Sequence, residues 1–539
     1  MEPAELVERL AAIVGPGSVS RSEPDRVTYS GDMWPRLQIW KSRGVVCRHP
    51  PDCVVWPASV DEVAAVLRLC NDERIPVVPY GAGSGVCGGT VPISGGVVVD
   101  VRRLDAIYRI HGESLTLDVG AGVVGHLLEQ ALSERGFTLG HFPSSILCST
   151  VGGWVAARSA GQLSSMYGKI EDMVLGLEVV LANGDVLHMG ELGPLDGAVD
   201  WTPLFVGSEG TLGVITRVLL RIHPAPAVRS FRGMRFRSVG DGLEGMRRVM
   251  QAGLAPSVLR LYDPFDTLIA GGKGDKDDSR GIDALLRFLR PSPSEAPSGL
   301  SRLLHERLQP LRQSLQKEAL HAALTHPALL NRVAGLVPVG ARLIVGFEGE
   351  EATVRTRMAE AQAILAASGA SDEGEEPGKH WYEHRYDVSF KQSKVFTAGA
   401  FSDTMEVACP WSRVAAVYDA VRARVSAHGF IMAHFSHAYR EGCSIYFTFA
   451  GFRPASEDLE LLYDRVWSEA QRAASEEGAT LSHHHGVGLS KRALMAEEHG
   501  QGERIFAALK RTFDTNGIMN PGKVFAGRYH KGRRGGTAG

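Results

Sequence analysis

With 539 residues, the chain is too long for a single hydrophobic core, and its length predicts two or three domains. Its formal net charge of −3 excludes a general attraction to nucleic acid, and its apolar fraction of 44% is typical of a soluble globular protein. The seven cysteines are scattered without a CxxC pair, which argues against a disulfide framework or a structural zinc site. Because the start is acidic and no run of 18 apolar residues occurs, we expect a cytoplasmic protein.

The first 200 or so residues predict an alternation of short helices and strands. Leucine and isoleucine recur at helical spacing in residues 4–14, whereas residues 20–45 read as irregular chain. Ser59 and Glu62 form a capping box in front of a predicted helix. Asn183-Gly184 predicts a tight turn between the two strands of a hairpin. Further expected elements are strands at 54–57 and 115–119 and helices at 60–74 and 123–135.

A glycine-rich stretch, Pro79 to Thr90, lies between the apolar runs 75–78 and 96–101. Five glycines between Gly81 and Gly89 allow backbone N–H groups to approach a ligand closely, as in phosphate sites. No Gly-Lys-Ser/Thr follows, so the stretch is not a Walker A motif. The next element reads as a strand, so it is not a Rossmann fingerprint either. Taken alone, it is equally consistent with a glycine-rich hairpin without a ligand.

Later segments add to this stretch in a fixed order: Ser149-Thr150-Val151-Gly152-Gly153, Tyr167-Gly168-Lys169, Asn183-Gly184 and Glu209-Gly210-Thr211-Leu212-Gly213. The ordered set resembles the FAD-binding, PCMH-type domain of the vanillyl-alcohol oxidase superfamily. The resemblance implies that the glycine-rich stretch holds the FAD pyrophosphate. The implied cofactor-binding residues are Pro79, Tyr80, Gly81, Ala82, Gly83, Ser84, Gly85, His141, Pro143, Ser144, Ser149, Thr150, Gly152, Gly153, Ala160, Gly161, Tyr167, Gly168, Glu209, Gly210, Gly213, Ile215 and Asn520.

The resemblance also implies a fold class and a domain order. The class is α+β: a two-subdomain FAD-binding PCMH-type fold, an α+β substrate or cap domain with an antiparallel sheet, and a helical C-terminal segment. We expect an N-terminal helical segment, the FAD-binding domain, the cap domain, a C-terminal segment that completes the FAD site, and a disordered tail. Their expected bounds are 1–45, 46–225, 226–475, 476–528 and 529–539.

In the predicted cap domain, strands alternate with helices up to an aromatic strand at 444–449. Alternation along this strand puts Tyr446 and Thr448 on one face, and Ile445, Phe447 and Phe449 on the other, which should face the core. Residues 371–378 read as an acidic loop. A leucine-rich helical stretch at about 299–336 reads as a packed cap, or alternatively as an apolar tunnel or membrane-facing patch.

Three adjacent histidines, His483, His484 and His485, are followed by Gly-Val-Gly. On a turn they could present two imidazoles to one site as proton carriers or anion donors. A structural cluster without a functional role is the alternative. With Tyr439 to Phe449 and Gly140-His141-Phe142-Pro143, the segment resembles the alkyldihydroxyacetonephosphate synthase branch of the superfamily. Such enzymes exchange the acyl group of acyl-dihydroxyacetone phosphate for a fatty alcohol through an adduct at flavin N5.

The resemblance assigns roles to single residues. Tyr446 matches the catalytic tyrosine, His483 to His485 match a catalytic histidine cluster, and His141 a histidine beside the flavin. Arg260, Arg385 and His434 fall in the substrate region. His434 replaces an arginine placed for the substrate phosphate in the eukaryotic enzymes, and imidazole is a poorer phosphate clamp than guanidinium.

FAD-linked D-2-hydroxyacid dehydrogenases and oxidases are the alternative within the same superfamily. They share the Asn-Pro-Gly-Lys of Asn520 to Lys523 and use a histidine-rich strand that can hold a divalent metal. His434 and His485 could recreate part of such a site, and whether they bind a metal stays open. The His-Xaa-Gly-Asp-Gly-Asn signature of that branch is absent, which favours the synthase branch. A flavoprotein without catalytic activity is a third alternative.

We expect non-covalent FAD, because residues 81–89 contain no histidine for a flavin link. Cys148 precedes Ser149 where some relatives have a linking cysteine, but it reads as an ordinary buried cysteine. The expected partners are acyl-dihydroxyacetone phosphate with a fatty alcohol, or a small 2-hydroxy acid, and not nucleic acid. A peripheral membrane contact at the inner face and a homodimer stay open.

Overall fold

The computed structural model describes residues 2–192, 199–270, 324–328, 331–332, 340–386, 395–396, 399–453 and 458–526. Most of the leucine-rich stretch 299–336 and the whole predicted tail 529–539 lie outside these residues. The chain divides into a first unit, Met1–Ala227 with Thr480–Gly539, and a second unit, Val228–Ala479. The second unit is therefore inserted between two stretches of the first.

Helices occur in both units. They are α1 (Pro3–Val14), α2 (Glu23–Thr28), α3 (Pro35–Ser42), α4 (Val60–Asp72), α5 (Gly125–Ser133), α6 (Val151–Ala157), α7 (Ser164–Tyr167), α8 (Ile170–Met173), α9 (Val239–Gln251), α10 (Pro264–Ala270), α11 (Glu351–Ala367), α12 (Glu376–His384), α13 (Trp411–Val425), α14 (Leu459–Glu476), α15 (Met495–His499) and α16 (Gln501–Phe513). Within the described part of the chain, no helix is long and apolar enough to span a bilayer.

In the residues that the structure describes, the strands form four sheets. They are β1 (Val19–Ser20), β2 (Cys53–Val55), β3 (Val77–Tyr80), β4 (Val97–Asp100), β5 (Ile107–His111), β6 (Thr116–Gly120), β7 (Phe137–Thr138), β8 (Val174–Val180), β9 (Val186–Gly190), β10 (Val214–Arg221), β11 (His223–Pro224), β12 (Val228–Phe236), β13 (Val258–Tyr262), β14 (Ala341–Gly349), β15 (Ser371–Gly374), β16 (Ala400–Pro410), β17 (Phe430–Ala438) and β18 (Gly442–Phe452).

Local sequence signals account for several of these elements. Ser59 caps α4 by accepting a hydrogen bond from the Glu62 N–H at 3.2 Å, and the Glu62 carboxylate accepts one from the Ala58 N–H. Such a cap contributes about 1 kcal/mol to helix stability. The hairpin of β8 and β9 turns at Asn183-Gly184, where Gly184 has a φ of +83°, so this prediction is confirmed. Residues 20–45 are not irregular, because α2 and α3 lie within them.

The first unit contains two larger sheets, and the glycine-rich stretch connects two strands of one of them. The four-stranded sheet has the order β1-β2-β4-β3, and the five-stranded antiparallel sheet has the order β5-β6-β10-β8-β9. β3 pairs with β4 in parallel, so the stretch between them is not a hairpin, and that alternative is wrong. On its other side, β3 is hydrogen-bonded to the C-terminal part of the chain. The Val77 N–H donates to Ile518 O and the Asn520 N–H donates to Val77 O, both at 2.7 Å.

The second unit contains a seven-stranded antiparallel sheet of order β15-β12-β14-β13-β17-β18-β16. Ile445, Phe447 and Phe449 of β18 are fully buried. Phe449 lies edge-on to Trp467 of α14, which shows that helices cover this face. Tyr446 is only partly buried. The predicted alternation along this strand is confirmed.

One prediction in the second unit is wrong. Residues 371–378 form β15 and the start of α12 rather than an acidic loop. Asp372 pairs with Arg232, and Glu373 pairs with both Arg235 and Arg342, so arginines of neighbouring strands neutralise the acidic side chains. This compensation comes from β12 and β14, which are distant in sequence, and the composition of the segment alone does not show it.

Candidate functional site

The glycine-rich stretch of the first unit adopts a conformation that requires glycine at specific positions. Gly83 has a φ of +62°, and a Cβ there would lie 2.0 Å from the Tyr80 hydroxyl oxygen. A Cβ at Gly81 would lie 2.4 Å from Thr150 Oγ1, the N-cap of α6. Gly85 differs, because it is exposed and its nearest neighbour would be Asp32 Oδ2 at 3.5 Å. The stretch is therefore packed on one side and open at Gly85.

Two segments that are far from this stretch in sequence converge on it. A Cβ at Gly210 would lie 2.8 Å from the Pro79 ring. The Asn520 side-chain amide donates to Gly89 O at 2.9 Å and to Glu209 O at 2.6 Å. The structure thus brings together Pro79, Gly210 and Asn520, which the sequence predicted as parts of one cofactor site.

The Glu209 side chain contacts the segment that follows the three histidines. Its carboxylate accepts hydrogen bonds from the Val487 N–H and, at 2.8 Å, from the Gly488 N–H. Burial raises the pKa of Glu209 above its usual range, while the two amides oppose this shift. Cofactor binding by Glu209 stays a prediction, since both carboxylate oxygens accept hydrogen bonds from protein backbone.

The three histidines lie on an irregular turn, each partly buried. The rings of His483 and His484 are nearly perpendicular, and so are those of His484 and His485, with centroid separations of 5.2 and 4.6 Å. The Nδ1 atoms of His483 and His484 are 3.0 Å apart. One of these nitrogens must donate and the other accept, so at most one ring of the pair is positively charged.

His141 is fully buried and neutral. Its Nε2 is hydrogen-bonded to Ser159 Oγ at 2.7 Å, and its ring lies 4.8 Å from that of Trp154. Burial, helped by the charge of Lys169, lowers the pKa of His141 to about 3. Among the described residues, His141 Nδ1 and Thr90 Oγ1 are buried without a hydrogen-bond partner. A glycine cradle next to buried polar atoms that need partners fits a large, polar, phosphate-bearing cofactor such as FAD.

Several predicted cofactor residues have a packing role inside the protein. A Cβ at Gly152 would lie 2.6 Å from the Ala121 Cβ, one at Gly161 would lie 2.5 Å from Phe142 N, and one at Gly213 would lie 2.7 Å from Val179. Ser149 accepts a hydrogen bond from the Trp154 indole at 2.7 Å. Direct contact with FAD stays a prediction for these residues and for Ala82, Ser84, Pro143, Ser144, Gly153, Ala160, Tyr167, Gly168 and Ile215. Cys148 is exposed, so its predicted burial is wrong.

Two charged residues near the stretch were missed by sequence reasoning. Asp32 accepts hydrogen bonds from the Trp34 N–H at 3.0 Å and the Thr90 N–H at 3.4 Å. The Lys523 ammonium donates to Val91 O at 2.7 Å. Burial raises the pKa of Asp32 to about 7 and lowers that of Lys523 to about 7. The Asn-Pro-Gly-Lys motif could have indicated Lys523. The sequence around Asp32 contains no comparable motif.

In the second unit, polar side chains form a row across one face of the sheet. Tyr262 of β13 is paired with His434 of β17, and His434 is paired with Tyr446 of β18. Arg260, two residues before Tyr262, lies on the same face and donates from Nη2 to His434 Nε2 at 2.6 Å. The predicted residues Arg260, His434 and Tyr446 are therefore neighbours.

Asp266 of α10 completes this cluster and was also missed. His434 Nδ1 is 3.0 Å from Asp266 Oδ2. Burial lowers the pKa of His434 well below its usual value, with a further contribution from the charge of Arg260. Burial raises the pKa of Asp266 to about 6, which Arg260 opposes. Asp266 could have been found from the helix start Asp263-Pro264, which follows a predicted strand.

Tyr446 stacks on His434, with ring centroids 4.7 Å apart and an angle of 18° between the planes. Its hydroxyl donates to Thr404 Oγ1 at 3.0 Å. Burial raises the pKa of Tyr446 to about 12, so the phenol is protonated at neutral pH. Arg385 lies at the end of α12, where its guanidinium stacks on Tyr382 at 3.8 Å, and its substrate role stays a prediction.

Comparison with known proteins shows that two family models match the chain. Residues 51–190 match the FAD binding domain, and residues 225–524 match the C-terminal domain of FAD linked oxidases. Alkyldihydroxyacetonephosphate synthase of Trypanosoma brucei brucei is 29% identical over 500 residues, which are 90% of this chain and 75% of that protein. Glycolate oxidase subunit GlcD of Bacillus subtilis (strain 168) is 26% identical over 524 residues, covering 97% of both.

A solved alkyldihydroxyacetonephosphate synthase structure has the same fold, with a TM-score of 0.72 over 97% of this chain and 85% of that chain, at 24% identity. The match to the C-terminal domain alone covers more than half of the sequence. The chain therefore belongs to the FAD-linked oxidases of the vanillyl-alcohol oxidase superfamily, has their two-domain PCMH-type fold, and uses FAD as its cofactor.

Proposed function

We propose that the protein is an alkyldihydroxyacetonephosphate synthase-like enzyme, which exchanges the acyl group of acyl-dihydroxyacetone phosphate for a fatty alcohol. The observation that carries this proposal is Tyr446, a protonated phenol on the polar face of the sheet beside Arg260 and His434. The similarity to synthases over 90% of the chain supports it.

Each residue has a distinct task in this proposal. Arg260 binds the anionic head group of the substrate, because a guanidinium is always charged and offers several donors. The Tyr446 hydroxyl donates a hydrogen bond to a substrate oxygen in place of Thr404, since a phenol with a pKa of about 12 is a poor base. His483 and His484, whose facing nitrogens share one proton, can accept and return the proton that the exchange displaces. Bound FAD supplies the electrophilic centre at which the substrate carbon is activated.

The second candidate is an FAD-linked oxidation of a 2-hydroxy acid. His434 favours it, because both of its ring nitrogens are committed to Arg260 and Asp266 and neither is left for a phosphate. A single guanidinium suits a carboxylate, which carries less charge than a phosphate. The relative described as a glycolate oxidase subunit supports this candidate.

One pair of assays separates the two candidates. The FAD-loaded protein is incubated with acyl-dihydroxyacetone phosphate and a labelled fatty alcohol, and the lipids are analysed for label in an ether bond. In parallel, the visible absorption band of the flavin is followed under anaerobic conditions after addition of D-lactate or glycolate. We expect labelled ether lipid and an unchanged flavin band. Bleaching of the flavin by a 2-hydroxy acid without ether formation would instead establish the second candidate.

A further inference from the structure

We propose that Asp266 and His434 are positioning residues, which hold the Arg260 guanidinium in the orientation that binds the anionic group of the substrate. His434 itself does not bind that group. The inference rests on the proposed function only in that both candidate substrates carry an anion, a phosphate or a carboxylate.

The direction of the hydrogen bonds follows from the chemistry of the three groups. A guanidinium can only donate, so His434 Nε2 must accept from Arg260 Nη2 at 2.6 Å. The proton of the neutral imidazole is then on Nδ1, which donates to Asp266 Oδ2 at 3.0 Å. Both nitrogens of His434 are therefore used within the protein. An imidazole in this state offers no donor to a substrate anion.

The carboxylate of Asp266 is itself held in place. Asp263 Oδ1 accepts hydrogen bonds from the Phe265 N–H at 3.0 Å and the Asp266 N–H at 2.8 Å, which fixes the first turn of α10. Asp263 Oδ2 accepts from the Ala433 N–H at 2.9 Å, directly before His434, and pairs with Arg422 at 2.7 Å. One buried carboxylate thus ties the helix that carries Asp266 to the strand that carries His434.

Arg260 retains a donor for which the described residues offer no acceptor. Its Nη2 is bonded to His434, whereas its Nε is buried without a hydrogen-bond partner among the described residues. A buried donor without an acceptor is unfavourable by about 1–3 kcal/mol. An acceptor oxygen of a bound anion would satisfy it. Because His434 and Asp266 fix the guanidinium plane, they also fix the direction of this donor.

The test uses the FAD-loaded protein and titration calorimetry with inorganic phosphate and with acetate. We expect the wild type to bind at least one of them and Arg260→Lys to lose that binding. Asp266→Leu removes the acceptor and should weaken binding by about tenfold or more, the scale of one lost hydrogen bond. Asp266→Asn keeps an acceptor oxygen and should stay within about threefold of the wild type. Glu348→Gln, which neutralises a buried carboxylate paired with Arg229 in the same sheet, is the matched control and should not change anion affinity.

Several results would overturn the inference: no binding of either anion, unchanged affinity in Asp266→Leu, or an equal loss in Asp266→Asn. NMR of protein with isotopically labelled histidine nitrogens gives a second readout that does not depend on the folding of any variant. The wild-type His434 proton must be on Nδ1, and a proton on Nε2 would contradict the proposal. Because neither measurement needs turnover, a failed catalytic assay refutes the proposed function without deciding the role of Asp266.

Discussion

Tyr446 shows how a single position on a sheet can determine the chemistry open to a side chain. Its ring is stacked on a neutral imidazole, and its hydroxyl donates a hydrogen bond to Thr404 Oγ1. Burial opposes ionisation of the phenol and raises its pKa to about 12. In the proposed reaction Tyr446 acts as a donor of a hydrogen bond.

Replacing Tyr446 with phenylalanine tests this role, because the ring and its packing on His434 are kept and only the hydroxyl is removed. We expect the variant to fold, to remain yellow, and to lose about a hundredfold or more in turnover, the usual scale for a lost acid–base or donor group. Thr404→Val serves as a control, since it removes the other partner of the hydrogen bond and should affect turnover much less. Near-normal turnover of Tyr446→Phe on the true substrate would remove Tyr446 from the mechanism.

At the scale of elements, local sequence patterns predicted those features that depend only on residues close together in the sequence. The β18 alternation and the Asn183-Gly184 hairpin follow from residues within one or two elements, and both are confirmed. The contacts of His434 with Asp266 and of Glu209 with Val487 were not predicted. These pairs are separated by 168 and 278 positions, and no local rule connects them. For the same reason β15 was missed, because its carboxylates are neutralised from other strands.

The glycine-rich stretch permits a clean test of cofactor binding at Gly85. A Cβ there would lie 3.5 Å from Asp32 Oδ2, so we expect Gly85→Val to melt like the FAD-free wild type but not to bind FAD. Flavin content is measured from the ratio of visible to ultraviolet absorption. Gly17→Val, where a Cβ meets nothing within 4 Å, is the control and should keep its flavin. Gly83→Val is less informative, because a positive φ and the Tyr80 hydroxyl would strain the fold itself. Full flavin occupancy in Gly85→Val would show that the stretch does not hold the cofactor.

At the scale of the whole molecule, the first unit is built from two stretches of chain that enclose the second in sequence. Asn520 and Gly89 are hydrogen-bonded although 431 positions separate them. Lys523 buries its ammonium group against Val91 O in the same region. The C-terminal part of the first unit is therefore attached to the rest partly through a buried amine, and burial disfavours the charged form of that amine.

This burial predicts a pH dependence of stability. The pKa of Lys523 falls from its ordinary value of 10.5 to about 7 on folding, so the unfolded chain binds more protons between these two values. The contribution of Lys523 to stability is consequently present at high pH and is lost as the pH falls from about 10.5 towards 7. We expect Lys523→Met to show a smaller rise in melting temperature between pH 7 and pH 9.5 than the wild type does. Parallel melting curves for the two proteins would contradict the assignment.

The C-terminal chain beside β3 has a consequence for synthesis on the ribosome. Val228–Ala479 is complete in the nascent chain before Ile518 to Asn520 are translated, so the second unit can fold while β3 still presents an unpaired edge. The residues that cover this edge appear only after the whole second unit has been translated. Completion of this side of β3 therefore has to wait until the whole second unit has been translated, which gives the first unit a higher contact order than the second.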